Sequence, residues 1–335
     1  MRVFINGFGR IGRSVLRAWA LDIAGRVPRH WADVQIVGIN DIAAAEMCAY
    51  LFEFDSVFGP WGGSVVLHEG ALVVNGTAIP LTQAPDLSAL DLSGVDLVME
   101  CTGRADTHSV AMRGIEGGAR RVLVSGPSAA AQYTVVLGAN EAGLDAALRT
   151  GAKVLSNASC TTNALAPLVR LLDQEFGIKT GWMTTIHCYT GSQPTTDAPS
   201  VDYARSRAAA LSMVPTTTSA QRLLDVVLPH LAGKIEGAAV RVPVASVSAV
   251  DLTVMLEKDC DVAAVNALFA GQKTVIGSTD RALVSSDLRA RPESIVMALP
   301  ETRKTAGGML RAFGWYDNEW GFSNRMLDVA RLLRD

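Results

Sequence analysis

Cys160 stands in the run Ser156-Asn157-Ala158-Ser159-Cys160-Thr161-Thr162-Asn163, which follows a short apolar stretch and opens a helical pattern. A cysteine at the start of a helix faces the positive end of the helix dipole, which stabilises a thiolate. An inert buried thiol is the plainer reading of a cysteine, and it suits Cys48 and Cys101. Small polar neighbours are poor company for an inert core thiol, so Cys160 is read as a nucleophile. A nucleophilic cysteine needs a base. Of the five histidines, His187 is best placed, because it ends the strand-like Met183-Thr184-Thr185-Ile186 and begins a long polar segment. A lone histidine is more often structural, so its pairing with Cys160 is an expectation for the fold to test.

A second chemistry is written at the N-terminus. Gly7-Phe8-Gly9-Arg10-Ile11-Gly12 follows the apolar Val3-Phe4-Ile5 and precedes a helical pattern through Val15, Leu16 and Trp19. Alone, G-x-G-x-x-G marks only a tight turn; with a strand before it and a helix after it, it reads as a dinucleotide site. Gly7 allows the turn, Gly9 lets the backbone approach a pyrophosphate, and Gly12 allows close helix packing, while the helix N-terminus attracts the phosphates. The second apolar run, Val34 to Ile39, ends at Asn40-Asp41. Asp41 is the acidic residue expected on the adenosine ribose, although it lies beyond the usual spacing of about 20 residues. A surface excursion between Leu21 and Asp33 accounts for the delay. Asp41 repels a 2′-phosphate, which favours NAD over NADP.

These residues need elements to hold them. Val95–Met99, Arg121–Val124, Thr134–Leu137 and Lys153–Leu155 are further apolar runs of strand length, with helical patterns between several of them. Strands alternating with helices predict an α/β fold, a Rossmann-type doubly wound parallel sheet. The pattern then changes. Leu165–Phe176 reads as a helix in which Pro167 makes a kink or marks the first turns. Gly181–His187 and Arg241–Leu256 read as strands with β-branched alternation. Tyr189–Met213 has no clean period and reads as a long ordered loop, a type of segment that is usually functional. Met326–Leu333 reads as a closing amphipathic helix.

Composition narrows the class. The 335 residues suffice for two domains, and the formal net charge of −3 shows no basic excess for nucleic acid. No apolar run approaches the roughly 20 residues of a membrane span. The opening MRVFINGFGRIG lacks the plan of a signal peptide. Five cysteines without a C-x-x-C pair point away from a metal site and toward a reducing compartment. The expectation is a cytoplasmic protein with no metal.

Taken together, INGFGRIGR (Ile5–Arg13), SNASCTTN (Ser156–Asn163), TTIHCYTGSQ (Thr184–Gln193), RVPVASVSAVDLT (Arg241–Thr253) and WYDNEWGFSNRMLD (Trp315–Asp328) resemble the phosphorylating glyceraldehyde-3-phosphate dehydrogenase family, from Arg2 to about Leu333. The resemblance implies an NAD-binding domain over 1–158 and an α+β catalytic domain with a mostly antiparallel sheet over 159–314. A segment over 315–335 would return to the first domain. It implies that Cys160 adds to the aldehyde and that His187 takes the hydroxyl proton as hydride leaves. The thioester so formed is then opened by phosphate. It places Thr190 and Arg241 on the substrate phosphate, and Ser159, Thr161, Thr218 and Arg207 on inorganic phosphate, with Ser219 beside them. Asn318 matches the nicotinamide carboxamide contact, Arg10 and Ile11 lie by the pyrophosphate and nicotinamide, and Thr102 and Ser125 line the cofactor cleft. A homotetramer is implied as well, with the long loop packing near a neighbouring subunit's cofactor.

The chain departs from the family pattern at several places. Ser219 replaces a usual glycine and restricts the backbone. Ser56-Val57-Phe58-Gly59 lacks the family's histidine at Phe58 and is followed by the unusual Pro60-Trp61-Gly62-Gly63. Phe322 replaces a common tyrosine, Ser192 stands at a variable polar position, and Ala198 is small at a position near the adenosine ribose. Three readings follow: phosphorylating oxidation of glyceraldehyde 3-phosphate, oxidation of erythrose 4-phosphate to an acid, and a catalytically idle NAD-binding regulatory protein. Thr190 favours the first over the second, and the Cys160–His187 pair disfavours the third.

Overall fold

A computed structural model describes residues 1–25, 30–200 and 202–334; residues 26–29 of the expected excursion and residue 201 of the expected long loop lie outside the described residues. The chain divides into two compact units. The first comprises Met1–Val135, Glu141–Ala158 and the stretch from Phe322 onward; the second comprises Val136–Asn140 and Ser159–Gly321. Trp315 and Tyr316 belong to a strand of the second unit, so the C-terminal return begins at Phe322 rather than at residue 315.

In the first unit, nine strands are found among the described residues. They are β1 (Arg2–Asn6), β2 (Gln35–Asn40), β3 (Val65–His68), β4 (Ala71–Val74), β5 (Thr77–Thr82), β6 (Leu97–Glu100), β7 (Arg121–Val124), β8 (Tyr133–Thr134) and β9 (Val154–Ser156). They form one sheet in the order β3-β4-β5-β2-β1-β6-β7-β9-β8. From β5 to β8 every neighbouring pair is parallel, the Rossmann-like part, while β3-β4-β5 is an antiparallel meander at one edge. Burial is nearly continuous along β1, β6 and β7, which is why these strands read as unbroken apolar runs rather than as alternation. The helices are α1 (Arg10–Ile23), α2 (Ala45–Glu53), α3 (His108–Glu116) and α4 (Leu144–Arg149). Helix α1 buries Val15, Leu16 and Trp19, and Trp19 Nε1 donates to Val34 O at 2.7 Å. The strand order reverses beside β1, whose neighbours are β2 and β6. Open parallel sheets bind ligands at the carboxyl ends of strands at such a reversal.

The second unit is built on β10 (Ile178–Cys188), β11 (Val214–Thr216), β12 (Ile235–Val242), β13 (Ser248–Leu256), β14 (Ile276–Thr279), β15 (Ile295–Ala298), β16 (Arg303–Lys304) and β17 (Met309–Tyr316). The order is β11-β12-β10-β13-β17-β15-β14, with β16 on β17. Pairs β10·β12 and β14·β15 are parallel and the others antiparallel, so the sheet is mostly antiparallel as expected. Helix α5 (Cys160–Phe176) packs on α6 (Ala220–Val227) and on β10, β13 and β15; α7 (Val262–Ala270) lies against β14. The last helix, α8 (Trp320–Leu332), carries the chain from the second unit back into the first.

Three local expectations are corrected. Helix α5 starts at Cys160, not Leu165, with Pro167 in its interior. The Ser159 hydroxyl accepts from Thr162 N at 3.0 Å, and this N-cap outweighs the weak helix propensity of Thr161-Thr162-Asn163. The run Arg241–Leu256 is two strands. Pro243 has no N–H for the ladder, and Val247 turns back in the left-handed region at φ 66°. The strand expected over Thr134–Leu137 is Tyr133–Thr134, and Val136 N turns to Asn140 Oδ1 at 2.8 Å.

Candidate active site

In the first unit, the loops after β1, β2 and β6 line a cleft that includes Gly7, Gly9, Asp41, Thr102 and Arg104. Gly7 sits at φ 90°, and a Cβ there would meet Thr102 N at 2.6 Å. A Cβ on Gly12 would meet Gly7 O at 2.1 Å, so only glycine lets α1 start this close to the turn. Gly9 has no heavy atom within 4 Å of its Cβ direction. This bare backbone before a helix N-terminus suits a pyrophosphate. Arg10 and Ile11 open α1. Asp41 ties the loops together, with Oδ2 accepting from Phe8 N at 2.6 Å and Oδ1 from Ala43 N at 2.9 Å. Each carboxylate oxygen has a second lone pair left for a ribose hydroxyl.

Beneath the cleft lies a network not anticipated from the sequence. Buried Glu100 accepts from Thr102 N at 3.0 Å, from the Thr102 hydroxyl, and from Asn6 Nδ2. Asn40 Nδ2 donates to Asn6 Oδ1 at 2.9 Å, and Asn40 Oδ1 accepts from Ala84 N at 2.8 Å. The ends of β6, β1 and β2 are thereby locked to one another, and Thr102 is oriented at the floor. The available signal was three polar residues, each ending an apolar strand. Ser125, after β7, is held by its N–H on Glu100 O at 2.9 Å. Burial pushes the neighbouring Cys101 thiol up to about 12, so it stays protonated.

The unusual Phe58–Gly63 stretch is structural support. Trp61 is buried against Phe52, and the buried Arg17 guanidinium lies over both rings while donating to Phe52 O and Gly59 O. Phe58 lies under the Arg10 guanidinium at 5.4 Å, and Arg10 also pairs with Asp55. Phenylalanine in place of histidine thus still braces Arg10 at the start of α1.

In the second unit, Cys160 is the first residue of α5 and His187 is near the end of β10. Cys160 Sγ lies 3.7 Å from His187 Nε2. Parallel pairing of β10 with β12 sets His187 directly beside Arg241. His187 Nδ1 is 2.7 Å from Cys188 O and 2.8 Å from Arg241 Nη1, and Arg241 Nη1 donates to Cys188 O at 3.0 Å. Nδ1 thus faces both a carbonyl acceptor and an arginine donor; with its proton directed to Cys188 O, Nε2 turns its lone pair to the thiol. Burial first, and then the Arg241 charge, push the imidazole down to about 4. Burial pushes the Cys160 thiol up, opposed by hydrogen bonds to Thr161, by Arg241 and by backbone amides. The resting pair is therefore a thiol facing a neutral imidazole, ready for proton transfer as sulfur attacks.

Tyr316 was not singled out from the sequence. Its buried hydroxyl lies 2.8 Å from both the Thr161 and Thr185 hydroxyls, and its ring stands edge-on to His187 at 6.0 Å. It locks the first turn of α5 to β10 and so fixes the distance between the Cys160 thiol and the His187 imidazole.

The residues expected to hold phosphate are not equally prepared. Ser159 Oγ caps α5 and Thr161 is engaged by Tyr316. Thr190 Oγ1 lies 3.0 Å from Ser192 Oγ. Thr218 Oγ1 accepts from Ala220 N at 3.2 Å. Arg207 forms an exposed ion pair with Asp197 at 2.8 Å, whereas Arg205 donates to Thr216 Oγ1 at 2.7 Å and to Thr217 O, next to Thr218. Ser219, just before α6, has φ −75° and ψ −9°. This is ordinary right-handed backbone, so serine in place of glycine costs no strain there. Asn318 is buried between β17 and α8, with Oδ1 3.0 Å from Cys188 Sγ. Among the described residues no cluster of metal-ligating side chains is found and no helix is long and apolar enough to cross a membrane.

Two family models match the chain: glyceraldehyde 3-phosphate dehydrogenase, NAD binding domain, over residues 1–108, and glyceraldehyde 3-phosphate dehydrogenase, C-terminal domain, over residues 159–318. Similarity to curated relatives spans nearly the whole chain. It is 44% identical to the glyceraldehyde-3-phosphate dehydrogenase of Cereibacter sphaeroides, over 98% of this chain and 97% of that one. It is 43% identical to that of Xanthobacter flavus and 42% identical to glyceraldehyde-3-phosphate dehydrogenase 1 of Bacillus cereus, each with the same two coverages.

Proposed function

The chain belongs to the glyceraldehyde-3-phosphate dehydrogenase family, and we propose that Cys160 and His187 carry out its NAD-dependent oxidation of glyceraldehyde 3-phosphate through a cysteine thioester that inorganic phosphate opens. The observation that carries this reading is the 3.7 Å approach of His187 Nε2 to Cys160 Sγ at the start of α5. NAD, when bound, supplies the hydride acceptor. The bare Gly9 backbone, Arg10, Ile11 and Asp41 are the proposed holders of its pyrophosphate and ribose. Thr102 and Ser125 line its cleft, and Asn318 is the proposed contact of its carboxamide.

The chemistry of the chain's own groups follows from their protonation. Cys160 Sγ adds to the aldehyde carbon and gives its proton to His187 Nε2. The imidazolium so formed can return that proton to the new oxyanion, leaving a hemithioacetal. As this is oxidised to the thioester, the neutral Nε2 takes the hydroxyl proton. Arg241 and Thr190 are the proposed partners of the substrate phosphate, the first through a charge-assisted contact. Ser159, Thr161, Thr218, Ser219 and Arg207 are the proposed surroundings of the attacking phosphate. Attack at the thioester carbon breaks the C–S bond, releases the acyl phosphate and restores Cys160.

A homotetramer in the cytoplasm completes the proposal. Tyr203, Leu211 and Met213 of the long segment are strongly exposed in the single chain, a surface suited to burial against a second copy. The deciding experiment follows NADH absorbance with glyceraldehyde 3-phosphate at increasing phosphate. Saturable phosphate dependence and an acyl phosphate product are expected. A phosphate-independent rate with a free acid product would overturn the phosphorylating assignment. No NADH at all would leave the idle binding protein as the reading.

A further inference from the structure

The Cys188 thiol has no part in the chemistry above, yet it is fully buried immediately after His187 and faces Asn318. Its Sγ lies 3.0 Å from Asn318 Oδ1, and its N–H donates to Ser248 Oγ at 3.1 Å. Ser248 Oγ is itself 3.4 Å from Asn318 Oδ1. Two hydroxyl- and thiol-type donors therefore converge on one amide oxygen, from β10 and from β13. Asn318 Nδ2 has no hydrogen-bond partner among the described residues.

We propose that Cys188, seconded by Ser248, is a positioning residue that sets the orientation of the Asn318 amide and so reserves its NH2 group as a donor for the nicotinamide carboxamide. The proposal rests on the reading of Asn318 as the carboxamide contact. An asparagine amide that turns over presents an acceptor where a donor is needed, and its two orientations are nearly equal in shape. Donors on one side of the group are what decide between them. A thiol serves only while it keeps its proton, and burial pushes Cys188 up to about 12, so the donor persists across the working pH range. The same residue offers its carbonyl to His187 Nδ1 and Arg241 Nη1. One residue thereby orients both the base and the carboxamide contact.

The test compares equilibrium binding of NAD⁺ and of ADP-ribose, which lacks nicotinamide, by calorimetry on the full-length enzyme. Cys188→Ala is expected to weaken NAD⁺ binding by about three- to tenfold, the scale of a lost neutral hydrogen bond, with ADP-ribose binding unchanged. Cys188→Ser supplies another donor and is expected to restore the NAD⁺ to ADP-ribose affinity ratio. If Cys188→Ala disturbs folding, seen as lost ADP-ribose binding, Ser248→Ala is measured in its place and is expected to lower the ratio in the same direction. Asn318→Ala separates the two levels of argument. A lowered ratio in Asn318→Ala with a wild-type ratio in Cys188→Ala overturns the positioning role alone. A wild-type ratio in Asn318→Ala overturns the carboxamide contact itself.

Discussion

Arg241 Nη1 stands 2.8 Å from His187 Nδ1, the two residues being register partners on parallel strands. The cation proposed to bind the substrate phosphate thus also lies against the His187 imidazole. Removing it in Arg241→Leu raises the imidazole from about 4 toward the ordinary histidine range. A general base works when deprotonated, so the acid limb of kcat/KM for the aldehyde moves to higher pH. The plateau of kcat/KM falls about 10–100-fold from loss of a charge-assisted phosphate contact. Profiles of both proteins from pH 4.5 to 8 check this. A fallen plateau with an unmoved acid limb means that the Arg241 charge does not act on His187.

Cys160→Ser removes the proposed nucleophile and keeps the helix start. Oxidation is expected to drop by at least about 10³-fold, since a serine hydroxyl is a weak nucleophile at its own pKa, while the NAD⁺ dissociation constant stays within twofold of the wild type. Steady-state turnover together with NAD⁺ titration decides it. A variant turning over at the normal rate rules out the thioester.

Asp41→Ala deletes the carboxylate that meets Phe8 N and Ala43 N. NAD⁺ binding weakens, and relative use of NADP⁺ improves as repulsion of the 2′-phosphate disappears. The ratio of kcat/KM for the two cofactors is the readout, with an improvement of about tenfold expected from about 1.4 kcal/mol. An unchanged ratio shows that Asp41 braces the glycine loop without reading the ribose.

Arg207→Ala is expected to raise the KM for inorganic phosphate about tenfold and that for the aldehyde by much less. Reaching an anion requires Arg207 to leave Asp197, whereas Arg205 already lies on Thr216 and Thr217. Measuring Arg205→Ala alongside tests the assignment, because a larger phosphate effect there would move the role from Arg207 to Arg205. Ser219→Gly is expected to leave the rate nearly the same, given its unstrained φ of −75°.

What the sequence made legible was local. The glycine spacing after Val3–Ile5, and Cys160 and His187 at the ends of elements, are short-range patterns. The strands that lead to all three follow from burial, and the helix after Ser159 follows from its cap. Arg241 beside His187, Tyr316 between Thr161 and Thr185, and Asn6 on Glu100 depend on strand register across long separations, which no local period encodes. The Leu165–Phe176 pattern begins too late because Pro167 reads as a first-turn residue, whereas the helix opening at Ser156–Asn163 agrees with the start of α5 at Cys160. Ser219 looked restrictive because composition does not reveal that its backbone is right-handed.

The stretch from Phe322 onward belongs to the same compact unit as Met1. Asp328 receives Trp31 Nε1 at 2.7 Å, Leu333 O receives Arg121 Nη1 at 3.2 Å, and Arg334 pairs with Asp33. During synthesis the nucleotide-binding half therefore begins to emerge before the second unit and is completed only after it. It waits, with Trp31, Asp33 and Arg121 uncovered, until the stretch from Phe322 has been translated. A premature stop after Tyr316 would spare every strand of both sheets and still withhold the closing piece of the earliest-made unit.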